Sequence, residues 1–219
     1  MANSWPPDGP GPAVAGMILA GGLSRRMGGG DKALVDLGGQ PMIGHVIARI
    51  RPQASALAIG ANGNPARFAR FGLPVLPDPT EGFAGPLAGV LAGLQWARQI
   101  GAQFLVTAPA DNPFLPSDLV RRLLDCIGTA EGAVARSRGI LQPTAALWRA
   151  SLARDLAAWL CDENRRAVHD WIEARRTVTV DFPDDENGDR FFNVNTPADL
   201  ETARHRAQRD VARAVRQGA

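Results

Sequence analysis

Short unbroken apolar runs alternate along this chain with stretches in which apolar residues return every three or four positions. The first kind predicts strands buried on both faces, and the second predicts helices with one face on a core. Ala13 to Ala20, Ala56 to Gly60 and the run from Phe104 that leaves into a loop at Asp111 are of the strand kind. Leu73 to Asp78 reads as a strand fragment. Pro41 is placed to open a helix at its first position, with Ile43, Val46, Ile47 and Ile50 facing inward. A short helix through Phe68 and Phe71 follows. Leu87, Val90, Leu91 and Leu94 then repeat the helical spacing, and Gly101 is the expected stop. Ser117 is the expected cap of a helix from Leu119 to Ile127, which Gly128 ends.

This alternation with short links predicts an α/β fold: three layers, a Rossmann-like, mostly parallel sheet with helices on both faces. The second half is less regular. Gly132 to Arg136 and Gln142 to Trp148 read as strands, Leu152 to Leu160 and Arg166 to Ala174 as helices, and Thr177 to Phe182 alternates like an exposed edge strand. Thr196, Pro197 and Asp199 form a helix start in which the acid reaches back to the cap. No repeat or Pro/Ser-rich linker divides the chain. The expected organisation is a flexible tail over 1–15, one domain over 16–205, and a solvated helix end over 206–219.

Charge and composition narrow the partners. Twenty-four basic against twenty-two acidic residues leave no electrostatic case for a nucleic-acid partner. No apolar run approaches the ~18 residues of a membrane span. Cys126 and Cys161 lack metal-ligand spacing and read as reduced core thiols, which fits a cytoplasmic protein. His45, His169 and His205 have no partner at metal spacing and read as helix-surface residues. The tryptophans read as core or rim.

The candidate chemistry begins where the first strand ends, in Leu19-Ala20-Gly21-Gly22-Leu23-Ser24-Arg25-Arg26-Met27-Gly28-Gly29-Gly30-Asp31-Lys32. A Walker loop needs Ser or Thr after its lysine, and Ala33 stands there. A dinucleotide fingerprint through Gly28, Gly30 and Ala33 lies too far beyond the strand, and the second strand does not end in an acid. Glycines do let backbone N–H groups close on a polyphosphate, and Arg26 and Lys32 add fixed positive charge for a leaving pyrophosphate. Glycine richness by itself also fits a plain surface loop. Asp111, at the carboxyl end of an apolar strand, suits a metal ligand, or an Asx-turn before Pro113. Asp78 suits base recognition, or a turn before Pro79.

The glycine-rich stretch resembles the signature loop of nucleotidyltransferases that activate a phosphate with a nucleoside triphosphate. Gly85 to Gly89, Thr107 to Pro116, Gln142 to Thr144 and Asn193 to Pro197 follow in the order seen in molybdenum cofactor guanylyltransferases, so the resemblance runs from Gly16 to about Leu200. It implies a fold of the nucleotide-diphospho-sugar transferase type. It implies transfer of GMP from GTP to the terminal phosphate of Mo-molybdopterin, with release of pyrophosphate. The implied roles are Arg26, Lys32 and Asp111 in catalysis, Asp111 as the ligand of Mg2+, and Leu19, Ala20, Gly21, Gly22, Lys32, Asn62, Asp78 and Asp111 for GTP. Gln142, Asn193 and Asn195 are the candidates for the second substrate; the asparagines equally suit capping of the final helix, and Gln142-Pro143-Thr144 equally suits a plain strand start. Two departures stand out. Gly60 replaces the first asparagine of an Asn-x-Asn pair, leaving Asn62, and Gln142 replaces a histidine, which removes any proton-transfer role there. The resemblance also implies contact with molybdenum-cofactor assembly proteins and molybdoenzyme chaperones, and a monomer is expected. Sibling cytidylyltransferases or sugar-phosphate nucleotidyltransferases, and a non-catalytic nucleotide-binding accessory module, are the competing readings.

Overall fold

The structure is a computed structural model. It describes residues 12–21, 31–79, 85–161, 167–186 and 188–217, with the side chains of 210–217 outside that description. Gly22 and Arg26, and with them the centre of the glycine-rich stretch, lie outside the described residues.

Seven strands form one sheet: β1 (Val14–Leu19), β2 (Ala56–Gly60), β3 (Val75–Leu76), β4 (Phe104–Pro109), β5 (Gly132–Ser137), β6 (Ile140–Arg149) and β7 (Thr177–Asp181). Their order is β3-β2-β1-β4-β6-β5-β7. Neighbours run parallel from β3 to β4, β6 is antiparallel to both β4 and β5, and β7 is parallel to β5. The expected three-layer, mostly parallel sheet is present, and β6 is the reversed strand within it. Arg138 and Gly139, both with positive φ (51° and 77°), make the two-residue turn from β5 into β6.

Alternation along β1 shows why both faces need cover. Val14 and Ile18 point into a core with helices α1 (Met42–Ile50) and α3 (Leu119–Ile127), whereas Ala15 and Met17 enter a second core with α2 (Pro86–Gln99), α4 (Ala153–Leu160) and α5 (Val168–Glu173). α2 lies so close to the sheet that a Cβ at Gly93 would stand 2.8 Å from Leu105 Cδ2, and one at Gly89 2.8 Å from Leu19 Cδ2. Glycine at these two positions is what permits that approach. α6 (Pro197–Gln217) caps a third cluster through Leu200, Ala203 and Ala207 on Leu37, Met42 and Phe114.

Local signals were read correctly at several ends. Thr196 and Asp199 form the predicted reciprocal cap: the Asp199 carboxylate accepts from the Thr196 and Asn195 amides, and the Asp199 amide donates to Thr196 Oγ1. Gly101 (φ 75°) stops α2, with the Ala102 amide returned to Ala97 O at 2.8 Å. Three expectations are corrected. Pro41 sits one residue ahead of α1 as its N-cap, with extended backbone, because it is bridged to Asp36 and the next amide, that of Met42, donates to Val35 O at 2.9 Å. Ser117 does not cap α3. Asp118 occupies the cap position without a side-chain bond, and the Val120 amide donates instead to Oε1 of the buried Gln53 at 2.9 Å. Both cysteines are free and exposed, not core thiols; Val120, Leu123 and Ile127 take the inward face of α3, and Cys161 follows the last turn of α4.

His45 holds Leu37 O at 2.7 Å and Gln40 Nε2 at 3.2 Å, a structural role in the turn before α1. Among the described residues no helix is long and apolar enough to cross a membrane.

Candidate active site

In an open α/β sheet, ligands gather beyond the carboxyl ends of parallel strands where successive crossovers leave to opposite faces. Here that place lies beside β1, because α1 follows β1 on one face and α2 follows β3 on the other. The ends of β1, β2, β3 and β4 deliver Leu19, Gly60, Asp78 and Asp111 to one edge. A cleft of about 920 Å³ opens there. It is lined by Leu19, Ala20 and Gly21, by Asp31 and Lys32, by Asn62, Arg67 and Asp78, and by Asp111, Asn193 and Asn195. Gly85, Pro86 and Gly89 bring the amino end of α2 to the same wall. The volume lies within the usual range for small-molecule sites, about 300–1,000 Å³.

Lys32 and Asp111, 79 residues apart in sequence, meet on the wall of the cleft at 2.6 Å between Nζ and Oδ2. Nζ also donates to Asn195 Oδ1 at 2.6 Å. Two oxygen acceptors, one charged and one neutral, therefore converge on a single cation. Each is held from behind. Asp31 caps the 3₁₀ turn Lys32–Leu34 by accepting from the Ala33 amide at 3.2 Å, which fixes the root of Lys32. The Val194 amide donates to Asp111 O at 3.0 Å, and the buried Asn112 donates to Phe191 O at 3.2 Å, so the segment carrying Asn195 is fastened to the loop after β4. Asp199 completes the support. Burial pulls its carboxyl upward, but the bonds from Thr196 and from the Asn195 and Thr196 amides, with the charge of Lys32, hold it below its ordinary range.

The other end of the cleft carries a second tight pair. Asn62 Nδ2 donates to Asp78 Oδ2 at 2.6 Å, and the Asp78 amide donates to Asn62 Oδ1 at 2.8 Å. This closed amide–carboxylate ring fixes the plane of the carboxylate at the ends of β2 and β3. It leaves Asp78 Oδ1 as an acceptor for N–H groups of a base.

The described charged lining comprises the carboxylates Asp31, Asp78 and Asp111 against the cations Lys32 and Arg67. A polyanion entering this cleft needs positive charge from elsewhere. Among the described residues no three His, Cys, Asp or Glu side chains are grouped to hold a metal alone. The arrangement fits a hard divalent cation that takes one protein carboxylate and completes its shell with phosphate oxygens and water.

Of the residues singled out from sequence, Leu19, Ala20, Gly21, Lys32, Asn62, Asp78, Asp111, Asn193 and Asn195 line one cleft. Gln142 does not; its amide turns back to Ile140 O at 3.3 Å on its own strand. The pairing of β5 passes from Val134↔Ala146 to Ala135↔Gln142, so residues 143–145 form a bulge, and it is Thr144 that lines the cleft. Asp31 and Thr144 lie within the motifs quoted above without a role of their own there, and Arg67 lies in none of them. A charged residue inside a Phe-bearing short helix was the one available hint for Arg67.

Fold and site together are those of a nucleotide-binding α/β protein. The model of the MobA-like NTP transferase domain matches residues 16–178. A molybdenum cofactor guanylyltransferase of Mesorhizobium japonicum is 49% identical over 195 residues, covering 87% of this chain and 94% of that one. Among solved structures, molybdopterin-guanine dinucleotide biosynthesis protein A from Archaeoglobus fulgidus shares the fold with a TM-score of 0.71 at 23% identity, covering 89% of this chain and 99% of that one. A Mycobacterium tuberculosis protein solved in complex with manganese shares it with a TM-score of 0.63 at 19% identity, over 88% and 98%. The chain belongs to the MobA-like NTP transferase family and is a nucleotidyltransferase.

Proposed function

We propose that this cleft transfers GMP from GTP to the terminal phosphate of Mo-molybdopterin, giving the guanine dinucleotide cofactor and pyrophosphate. The named relatives at close to half identity over nearly the whole chain support GMP transfer. The observation that carries the residue assignment is the meeting of Lys32 and Asp111 at 2.6 Å on the wall of a triphosphate-sized cleft.

The acceptor is already an anionic phosphate, so attack on the α-phosphorus needs no general base. What the protein supplies is position and charge. Asp78, planar and locked by Asn62, accepts from the N1–H and exocyclic amine edge that guanine offers. Lys32 neutralises the charge that builds toward the departing pyrophosphate, and Arg26 adds to it in the reading from sequence. Asp111, with Asn195 beside it, is the ligand for Mg2+. Bound there, Mg2+ supplies Lewis-acid charge neutralisation of the phosphate oxygens. Asn193, Asn195 and Thr144 line the same wall, and in this reading they contact the second substrate. The catalytic unit is the single domain over 16–205. In this reading the chain acts as a monomer in the cytoplasm and hands its product to cofactor-assembly proteins and molybdoenzyme chaperones.

The test is a nucleotide series on the purified protein with Mg2+. GTP raises the melting temperature and CTP, ATP and UTP do not, because only a ligand of the native state stabilises it. Pyrophosphate then appears when GTP and Mo-molybdopterin are both present, and Asp111→Ala abolishes it. Stabilisation by CTP in place of GTP, or GTP binding without pyrophosphate release, transfers the assignment to a sibling cytidylyltransferase or to an accessory module respectively.

A further inference from the structure

Arg67 belongs to neither of the two pairs described above, yet it touches both ends of the cleft. It stands in the short 3₁₀ helix Pro65–Phe71, after the turn that follows β2. Its buried Nε lies 2.6 Å from Asp31 Oδ2, in an ion pair whose N–H is not aligned for a hydrogen bond and whose side chains are 30% and 19% exposed. One terminal nitrogen, Nη2, donates to Asn62 O at 2.7 Å, and the other, Nη1, to Asn64 O at 3.2 Å. The guanidinium sits 4.7 Å from the centre of the Phe68 ring, a contact that holds its plane. Gly63 (φ 80°) makes the turn and leaves room, since a Cβ there would stand 3.2 Å from Nη1.

The partners matter more than the contacts. Asp31 is the cap of the turn that bears Lys32, and Asn62 is the residue whose side chain locks Asp78. We propose that Arg67 is a positioning residue for nucleotide binding: it neutralises Asp31 beside the triphosphate end and, with the same side chain, holds the strand end that reads the base. Without it Asp31 becomes an uncompensated carboxylate one residue from Lys32, where it repels the incoming triphosphate and competes for the lysine. A planar fork with several donors suits this double duty, and a single ammonium does not. This inference rests on the proposal that GTP occupies the cleft.

The test is a double-mutant cycle between Arg67 and Asp31, read as KM for GTP at saturating Mg2+ and second substrate. Arg67→Met is expected to raise KM about tenfold with kcat changed less than about threefold, between the small effect of an exposed charge pair and the larger one of a fully buried pair. In the Asp31→Asn background the same change is expected to raise KM by less than about threefold, because no stranded charge remains. A role confined to shaping the wall predicts an equal rise in both backgrounds, and that result overturns the proposal, as does an unchanged KM in Arg67→Met. Should the methionine variant fail to fold, Arg67→Lys carries the same test. It keeps the charge but cannot span both partners, so KM rises by about threefold, and an unchanged KM overturns the proposal. Wild-type protein that does not bind GTP overturns the functional reading and this inference together; wild type that binds normally, with no coupling between positions 67 and 31, overturns this inference alone.

Discussion

Replacing Lys32 by methionine separates what the lysine does for the fold from what it does for the reaction. The side chain is about the same length and apolar, so the change deletes the charge and two hydrogen bonds of 2.6 Å each. Charge-assisted bonds contribute about 1.5–3 kcal/mol each when dry. Lys32 and Asp111 are 15% and 27% exposed, so water screens the pair and rehydrates the stranded carboxylate. The burial of the ammonium, itself costly, also disappears. A net loss of about 1 kcal/mol follows, which for a domain of this size lowers the melting temperature by about 2–4 °C. The catalytic loss is larger. Removing a preorganised charge from the place where negative charge develops costs about 10²–10³ in kcat, or 2.7–4 kcal/mol. Single-turnover pyrophosphate release at saturating GTP and Mg2+, paired with a melting curve, reads both quantities. A kcat within about threefold of wild type refutes the role of Lys32 at the phosphates, because it lies far below the loss expected for such a charge. A melting temperature lowered by more than about 10 °C refutes the energetics worked out above.

Three further outcomes are expected. Gly89→Ala brings a methyl to 2.8 Å from the terminal Cδ2 of Leu19 on the cleft wall; overpacking of about 1–3 kcal/mol is offset by the roughly 1 kcal/mol that alanine gains over glycine inside a helix, so a net loss of no more than about 2 kcal/mol is expected, with a raised KM for GTP, checked by urea unfolding and steady-state kinetics. Gln53→Leu removes the bonds to Arg49 O, Pro116 O and the Val120 amide; chemical denaturation should show a loss of about 2–4 kcal/mol while kcat is retained, since this buried bridge lies away from the cleft. Asp199→Ala tests a pH dependence. The folded carboxyl titrates below its unfolded value, so its stabilisation is fully present above the unfolded pKa and is lost as pH falls through the folded one. Wild type and variant are therefore expected to differ in urea midpoint at pH 7 and to converge below the ordinary carboxylate range; a gap that persists in acid refutes the assignment.

The parts of this molecule that were legible in advance are those whose cause is local. Apolar rhythm placed nearly every strand and helix, and Thr196-Pro197-Ala198-Asp199 carries its own cap within four residues. The failures are non-local. Nothing near Val120 announces that Gln53, 67 positions earlier, satisfies its amide. Ser117 was the better local guess, and tertiary packing overrode it. The step from Gln142 to Thr144 has the same origin, because a bulge depends on which strand lies opposite. Lys32, Asp111 and Asn195 could be named from motif spacing, but only the sheet order explains why residues so far apart meet. Arg67 was missed because its partners, Asp31 and Asn62, are joined by the fold and not by any pattern around Phe68.

The fastening of Asp111 to Val194 and of Lys32 to Asn195 has a consequence for biosynthesis. A ribosome-bound chain that has emerged only through β7 already holds the lysine and the aspartate, yet lacks Asn195, which accepts from Lys32 and lies 163 positions beyond it, and the Val194 amide that donates to Asp111 O. Contacts this distant in sequence form late. Full support of the lysine–aspartate pair therefore requires the segment just ahead of α6.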